Sequence, residues 1–364
     1  MGIRTGKMEN MVEELEFYKG KKVFVTGHTG FKGSWLMMCL REAGAIVKGY
    51  ALSPDYHGLY EIIESELKFE SVIGDIRDKE SLAREVLVFK PEFIFHLAAQ
   101  PLVRKSYKLP AYTYDVNVVG TANLLEIAGQ LSNPCTILIV TTDKVYENKE
   151  SEIYYKESDR LGGVDPYSAS KACTEIVAQS FRQSFFEVNL VEIHGKTIAT
   201  ARAGNVIGGG DMSEDRLVPD LVRSLMANTL IEIRNPNAIR PWQFVLEPIS
   251  GYLKLAKQLN EQPQAYSEAF NFGPEPSEHL PVRQIVEKVI KVWESGSWKV
   301  IRPEQDLHEA NLLQLDINKS KQKLDWKPKL TIDQAIDWTI QWYKKPEGLR
   351  FQFTAEQVQK YFAL

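Results

Sequence analysis

Two short strings in this 364-residue chain carry ionisable groups at spacings suited to proton chemistry. The first is Tyr167-Ser168-Ala169-Ser170-Lys171. On a helix, residues four apart share a face, so Lys171 lies beneath Tyr167. A tyrosine with a pKa near about 10 is a poor base at neutral pH, and a neighbouring ammonium favours its phenolate. The pair could then draw a proton from a substrate hydroxyl. The second string, Thr141-Thr142-Asp143-Lys144-Val145-Tyr146, sets an acid beside a base behind two hydroxyls. It follows an apolar run, Thr136–Thr141, and the C-terminal ends of such runs are where open α/β sheets hold ligands. Alone, either string also fits a solvated charge pair on a surface. Context decides.

That context begins with Gly27-His28-Thr29-Gly30-Phe31-Lys32-Gly33, which follows the apolar run Lys21–Thr26 and opens a helical stretch, Phe31–Ala43. Glycines there permit a tight turn, let backbone N–H groups approach a pyrophosphate and let the helix sit close to the sheet. The helix N-terminus adds unpaired donors and a positive dipole end. The catalytic tyrosine falls about 140 residues later.

The elements that must position these groups alternate in type. Apolar runs at Lys21–Thr26, Ala45–Ala51, Ser71–Ile73, Phe93–Leu97, Thr136–Thr141 and Thr197–Arg202 read as buried parallel strands. Helical patterns at Lys79–Phe89, Val118–Gln130 and Tyr167–Phe185 separate them. The pattern predicts a doubly wound parallel α/β sheet over residues 21–205. Beyond residue 205, prolines and Gly208-Gly209-Gly210 break the rhythm. Helices recur at Val282–Trp293 and, behind the capping box Thr331-x-x-Gln334, at Ile332–Tyr343, with a helical tail after that. Residues 206–364 thus read mainly as a substrate-binding lobe, some of whose segments return to the sheet. Residues 1–20 read as a charged, poorly ordered leader.

Composition narrows the partners. A net charge of −4 offers no broad basic field for nucleic acid or an anionic membrane, so any anionic ligand must be captured locally. No apolar run reaches the length of a membrane span. Cys39, Cys135 and Cys173 are odd in number and far apart, which fits a reducing cytoplasm and argues against a disulfide framework. The histidines are scattered, and no metal site is expected.

The G-x-x-G-x-x-G spacing, the Tyr167/Lys171 pair and their separation resemble the extended short-chain dehydrogenase/reductases. That resemblance implies a dinucleotide held by Gly27–Gly33 and by Asp75 and Ile76 beside adenine. Leu97-Ala98-Ala99-Gln100 would lie under the nicotinamide-side ribose, with Thr141, Tyr167 and Lys171 around it and Asn117 as a buried structural asparagine. The expected cofactor is NAD. An NAD site usually carries an acid at the end of the second strand. Here the stretch is Gly49-Tyr50-Ala51-Leu52-Ser53-Pro54-Asp55 with Asp55 too late, which together with Lys32 leaves NADP open.

Thr142-Asp143-Lys144 resembles the CDP-glucose branch of the sugar-nucleotide 4,6-dehydratases, whose dTDP-glucose relatives carry Thr-Asp-Glu. The implied activity is dehydration of CDP-glucose. Tyr167 takes the 4-hydroxyl proton while hydride leaves C4, and Thr142 bonds the 4-oxygen. Asp143 and Lys144 divide the elimination of the 6-hydroxyl between them, hydride returning to C6. Ala203–Asp211, Arg216-Leu217 and the string Arg234–Val245 resemble the diphosphate-sugar segments. They nominate Asn205, Arg216, Leu217, Arg234, Arg240 and Gln243 for the substrate, joined by Gln100 of the Leu97–Gln100 loop. A homodimer is implied by kinship. Two other readings compete: an epimerase or decarboxylase of the same fold, and a non-catalytic NAD-binding scaffold, against which the intact Tyr167/Lys171 pair speaks.

Overall fold

A computed structural model describes residues 14–54, 58–66, 69–301 and 312–364. Its centre is a seven-stranded sheet. In chain order the elements that build it are β1 (Lys22–Thr26), α1 (Phe31–Glu42), β2 (Ile46–Ala51), α2 (Leu59–Glu64), β3 (Glu70–Ile73), α3 (Lys79–Phe89) and β4 (Phe93–His96). There follow α4 (Gly120–Gly129), β5 (Cys135–Val140), α5 (Pro166–Ser184), β6 (Lys196–Ala203), α6 (Leu246–Glu261) and β7 (Ala269–Phe272). The chain closes with α7 (Ile332–Lys344) and α8 (Glu347–Phe362). Strand order is β7-β6-β5-β4-β1-β2-β3, every neighbour parallel. The order reverses between β1 and β4, which opens a crevice at their C-terminal ends.

The strand residues explain the sheet. β4 to β6 are buried along their whole length, as apolar runs with helices on both faces must be. Helix α5 starts where the sequence says it must: Pro166 occupies its first turn, and the Asp165 carboxylate caps it, accepting from the Ser168 N–H at 3.0 Å. Tyr167 and Lys171 are thereby fixed in its first two turns.

Two findings differ from the sequence reading, and a third specifies which segments return to the sheet. Residues 14–20 of the supposed leader are docked: Tyr18 is fully buried and donates to Leu253 O at 2.6 Å, while residues 1–13 lie outside the described part. The helix expected from Val118 starts at Gly120, preceded by a π-helical turn over Asp115–Val119. The sheet also takes its edge strand, β7, and the covering helix α6 from beyond residue 205.

The remaining segments build a lobe over the crevice. It is made of small two-stranded pairs, Val206–Ile207 with Gln243–Phe244, Ile231–Ile233 with Trp298–Val300, and Ile239–Arg240 with Leu280–Pro281. Helix α8 folds back onto α1 and α2. It is fastened through Glu247 at the start of α6, whose carboxylate accepts from Tyr361 Oη at 2.6 Å and from the Leu330 N–H at 2.7 Å. Burial raises that carboxyl to about 7, against the hydrogen bonds that pull it down. Among the described residues, no helix is long and apolar enough to cross a membrane.

Candidate functional site

Two cavities of about 320 and 310 Å³ lie end to end along the crevice. They share Lys32, Thr141, Tyr167, Asp211 and Arg216 as common walls.

The first cavity is shaped by backbone. Gly27 has φ +76°, and a Cβ there would lie 2.6 Å from Ala98 N. A Cβ on Gly33 would lie 2.1 Å from Gly27 O, so the first turn of α1 closes on the loop only with glycine at both positions. No side chain caps α1 and no acid sits in its first turn, which leaves its N-terminal donors and dipole for an anion in the cavity. This cradle fits a dinucleotide pyrophosphate. Thr29, Gly30, Phe31 and Lys32 line it, with Asp75, Ile76, Leu97, Ala98, Ala99 and Gln100 further along and Lys171 at its inner end. Arg77 grips the Asp75 carboxylate at 2.7 Å and holds its pKa below the usual range. At the end of β2, Ala51, Leu52, Ser53 and Pro54 line the wall, whereas Asp55 lies outside the described residues.

Three nominated groups serve the cavities indirectly. The His28 ring is buried beneath the loop, bonded to Ser71 Oγ at 2.8 Å, and burial lowers it to about 4. Asn117 bridges the Gln100 backbone, accepting from its N–H at 2.8 Å and donating to its carbonyl at 3.2 Å. The π-helical turn puts the Asn117 carbonyl where Thr121 and Thr174 hydroxyls both donate to it, so this asparagine ties three segments together. The Gln100 amide is consumed by Leu102 and Thr113, which removes it as a substrate ligand.

The residues around the shared Tyr167 are the reactive part, with Thr142, Asp143 and Lys144 on the second cavity and Lys171 on the first. Thr142 Oγ1 donates to Asp143 Oδ1 at 2.9 Å, and the other carboxylate oxygen, Oδ2, is buried with no partner among the described residues. Burial raises the Asp143 pKa, against Lys144, Thr142, Arg240 and Lys32, which pull it down. A carboxyl in this state favours its proton. Lys144 Nζ stands 6.0 Å from the centroid of the Tyr167 ring. Lys171 Nζ donates to Val140 O at 3.2 Å, and burial lowers it to about 8 with Glu175 opposing. The expected depression of Tyr167 is absent: burial pushes its phenol up to about 12, outweighing a Thr142 hydrogen bond and the Arg216 charge. Desolvation wins over the ammonium because Lys171 is itself desolvated and turned to a carbonyl.

The second cavity is built from side chains on loops, short strands and helix ends. Asn205, Arg216, Leu217, Arg234 and Arg240 line it, joined by Lys32, Arg104 and Lys144. Asp211 holds Arg216 at 3.2 Å, and Asp215 holds Arg234 at 3.4 Å and Arg104 at 3.7 Å. Gln243 is not among the lining residues. Its short strand turns the amide inward, where Nε2 donates to Phe272 O at 3.0 Å. Sequence reasoning missed Arg104, whose helix Val103–Lys108 reads as a solvated basic run, and Lys32 as a wall of both cavities. It also missed Glu175, four residues past Lys171, a spacing that was in plain view.

This geometry can hold a dinucleotide in one cavity and an anionic, hydroxyl-bearing ligand in the other. A phenol and a buried carboxyl stand between them. Comparison with known proteins agrees. The family model described as GDP-mannose 4,6 dehydratase matches residues 24–339. The chain is 48% identical over 333 residues to the CDP-glucose 4,6-dehydratase of Salmonella typhimurium, covering 91% of this chain and 92% of that one. It is 26% identical to the GDP-mannose 4,6 dehydratase of Homo sapiens, over 86% of this chain and 88% of the other. Among solved structures, a dTDP-glucose 4,6-dehydratase from Streptomyces venezuelae with NAD bound superimposes with a TM-score of 0.77 at 22% identity, covering 91% and 99% of the two chains. The UDP-glucose 4-epimerase of Thermotoga maritima gives 0.75 at 22% identity, covering 89% and 98%. At such identity these two speak for the fold.

Proposed function

The chain belongs to the GDP-mannose 4,6 dehydratase family, and from that premise we propose that it converts CDP-glucose to CDP-4-dehydro-6-deoxyglucose with NAD as cofactor. The observation that carries the reading is the pair Asp143-Lys144 in the second cavity, beside Tyr167, which lines both cavities. NAD rather than NADP is favoured by the cofactor bound in the fold relatives, since no described residue supplies the acid at the end of β2.

Gly27, Thr29, Gly30, Phe31, Lys32 and Gly33 would hold the pyrophosphate, Asp75 and Ile76 the adenine, and Ala98, Ala99 and Lys171 the inner ribose. When bound, NAD accepts hydride from C4 and returns it to C6, so no external reductant is consumed. Tyr167 takes the proton of the 4-hydroxyl at its phenolic oxygen, and Thr142 orients the same sugar oxygen. A phenol lifted to about 12 needs the charges of the filled site to fall into a working range. Lys144 takes the C5 proton and gives it back to C5 as the hydride reaches C6. Asp143, buried and disposed to keep its proton, delivers it to the 6-hydroxyl, which departs as water. Arg216, Arg234 and Arg240 supply the local positive charge for the diphosphate, and Asn205 bonds it.

The division at residue 205 is one of role. Segments beyond it carry the substrate, while α6 and β7 complete the sheet. Val119 and Ile176, 47% and 55% exposed beside α4 and on α5, suit a homodimer packed through those helices. The free thiols at Cys39, Cys135 and Cys173 suit the cytoplasm.

The test is incubation of the purified chain with NAD and CDP-, UDP- or dTDP-glucose, followed by mass spectrometry. A product lighter by one water from the CDP sugar is expected. An unchanged mass with inverted C4 would make it an epimerase, and no change with any sugar would leave a binding protein.

A further inference from the structure

One buried ion pair near the reactive wall has no part in the chemistry above. Glu175 lies one helical turn beyond Lys171 on α5, and its side chain is buried. Both of its oxygens are occupied. Oε1 accepts from Thr141 Oγ1 at 2.5 Å, and Oε2 accepts from Thr200 Oγ1 at 2.7 Å and from Arg202 Nη2 at 2.9 Å. Arg202 is buried too, and donates onward to Tyr146 Oη at 3.0 Å and to Glu157 O at 3.1 Å. Tyr146 in turn donates to Asn271 Oδ1 at 2.6 Å on β7.

Two features of this cluster point at the site. Thr141 sits between Val140, whose carbonyl receives the Lys171 ammonium, and Thr142-Asp143. The carboxylate therefore grips the strand end at the residue joining both halves of the reactive wall. Glu175 is also the negative charge next to Lys171 on its own helix. The other charged or titratable groups felt by or facing this pair are His96 on β4, Lys32 on α1, Arg202 on β6 and Arg182 on α5. None of these is an acid.

We infer that Glu175 is a positioning residue: its carboxylate anchors the Thr141–Asp143 strand end and supplies the buried negative charge that keeps Lys171 an ammonium. The inference rests on the proposed function for its catalytic meaning. Its electrostatic half is readable without turnover.

Burial lowers Lys171 to about 8 even with Glu175 opposing it, so loss of that charge moves its titration further toward the neutral range. Glu175 itself stays ionised. Burial would raise it, but the charge and hydrogen bond of Arg202, with Thr141 and Thr200, together hold it below the usual carboxylate range.

The experiment compares wild type, Glu175→Gln and the charge-neutral double variant Glu175→Gln/Arg202→Met. The readouts are NAD affinity by calorimetry, kcat/KM for CDP-glucose between pH 6 and 9, and thermal midpoint. For Glu175→Gln, the alkaline fall in NAD affinity and in kcat/KM is expected about one pH unit lower than in wild type, with roughly a tenfold loss at pH 8 that shrinks at pH 6.5. Its midpoint also drops, because Arg202 is left buried without its partner. In the double variant the midpoint recovers while the alkaline limb stays displaced. A Glu175→Gln profile superimposable on wild type, or a double variant that restores the limb with the midpoint, would reduce the cluster to a structural brace and overturn the inference. A wild-type chain that turns over no sugar would refute the proposed function yet leave the NAD titration to judge Glu175.

Discussion

The two cavities are built by opposite means. The dinucleotide side is made of backbone: glycines that permit close approach at Gly27 and Gly33, and a helix end without a cap. The sugar side is made of long charged side chains from several elements and loops, three of them held in place by Asp211 and Asp215. A backbone site tolerates almost no added atoms but needs few particular side chains. A side-chain site tolerates substitution in graded steps, because each arginine contributes a separable interaction. Sheet and glycine loop therefore suit a whole class of dinucleotide enzymes, while on the proposed function the arginines would choose the sugar nucleotide.

The largest effect should fall where the two sides meet. Tyr167→Phe removes the one proton acceptor for the 4-hydroxyl and should lower kcat by about 10²–10⁴-fold with KM little changed, as steady-state kinetics on CDP-glucose would show. A residual rate near wild type would mean that another group does this work. Next comes the backbone side. Gly33→Ala forces a Cβ to within 2.1 Å of Gly27 O, and overpacking of this kind costs about 1–3 kcal/mol. NAD affinity should fall by roughly tenfold to a hundredfold by calorimetry, without a graded response to salt. On the sugar side, Arg234→Ala should raise the KM for CDP-glucose by about tenfold and leave NAD affinity unchanged, consistent with one charge-assisted hydrogen bond. If it instead weakened NAD as much as substrate, the division between the two sides would fail.

The smallest effect lies outside both cavities. Glu247 is raised by burial from 4.5 to about 7. A carboxyl whose folded pKa exceeds its unfolded one contributes stability that is present below the unfolded value and is lost as pH rises through the folded value. The thermal midpoint should accordingly decline between about pH 4.5 and 7, and Glu247→Gln should flatten that decline without altering kcat at neutral pH. Parallel curves for the two proteins would show that the carboxyl is ordinary.

The same contrast explains what was legible in the sequence. Strands β1, β2, β4, β5 and β6 announce themselves as short, mainly apolar runs, because strands buried on both faces are mostly apolar. The glycine loop and the Tyr167/Lys171 spacing are equally plain, since each is a local pattern. β7 was not, because in Ala269–Phe272 Asn271 interrupts the phenylalanines and prolines follow closely, so no continuous apolar run marks it. The two-residue strands of the lobe are invisible for the same reason. At Gln243 the string resemblance named the residue but not the direction of its side chain, which pairing with Val206 and Ile207 decides. Arg104 could not be told from a surface arginine without knowing that Asp215, more than a hundred residues away, would meet it. The proton affinity of Tyr167 failed for a different reason. Spacing reveals a neighbouring charge but not how much water folding removes.

The edge strand β7 has a further consequence for biogenesis. Until Ala269–Phe272 has left the ribosome, the growing chain carries Lys196–Ala203 as an open margin of unpaired amides and carbonyls, the kind of template on which foreign strands add. The long intervening insertion delays its closure, so the nascent protein passes through a stage in which an unpaired strand edge is open to aggregation.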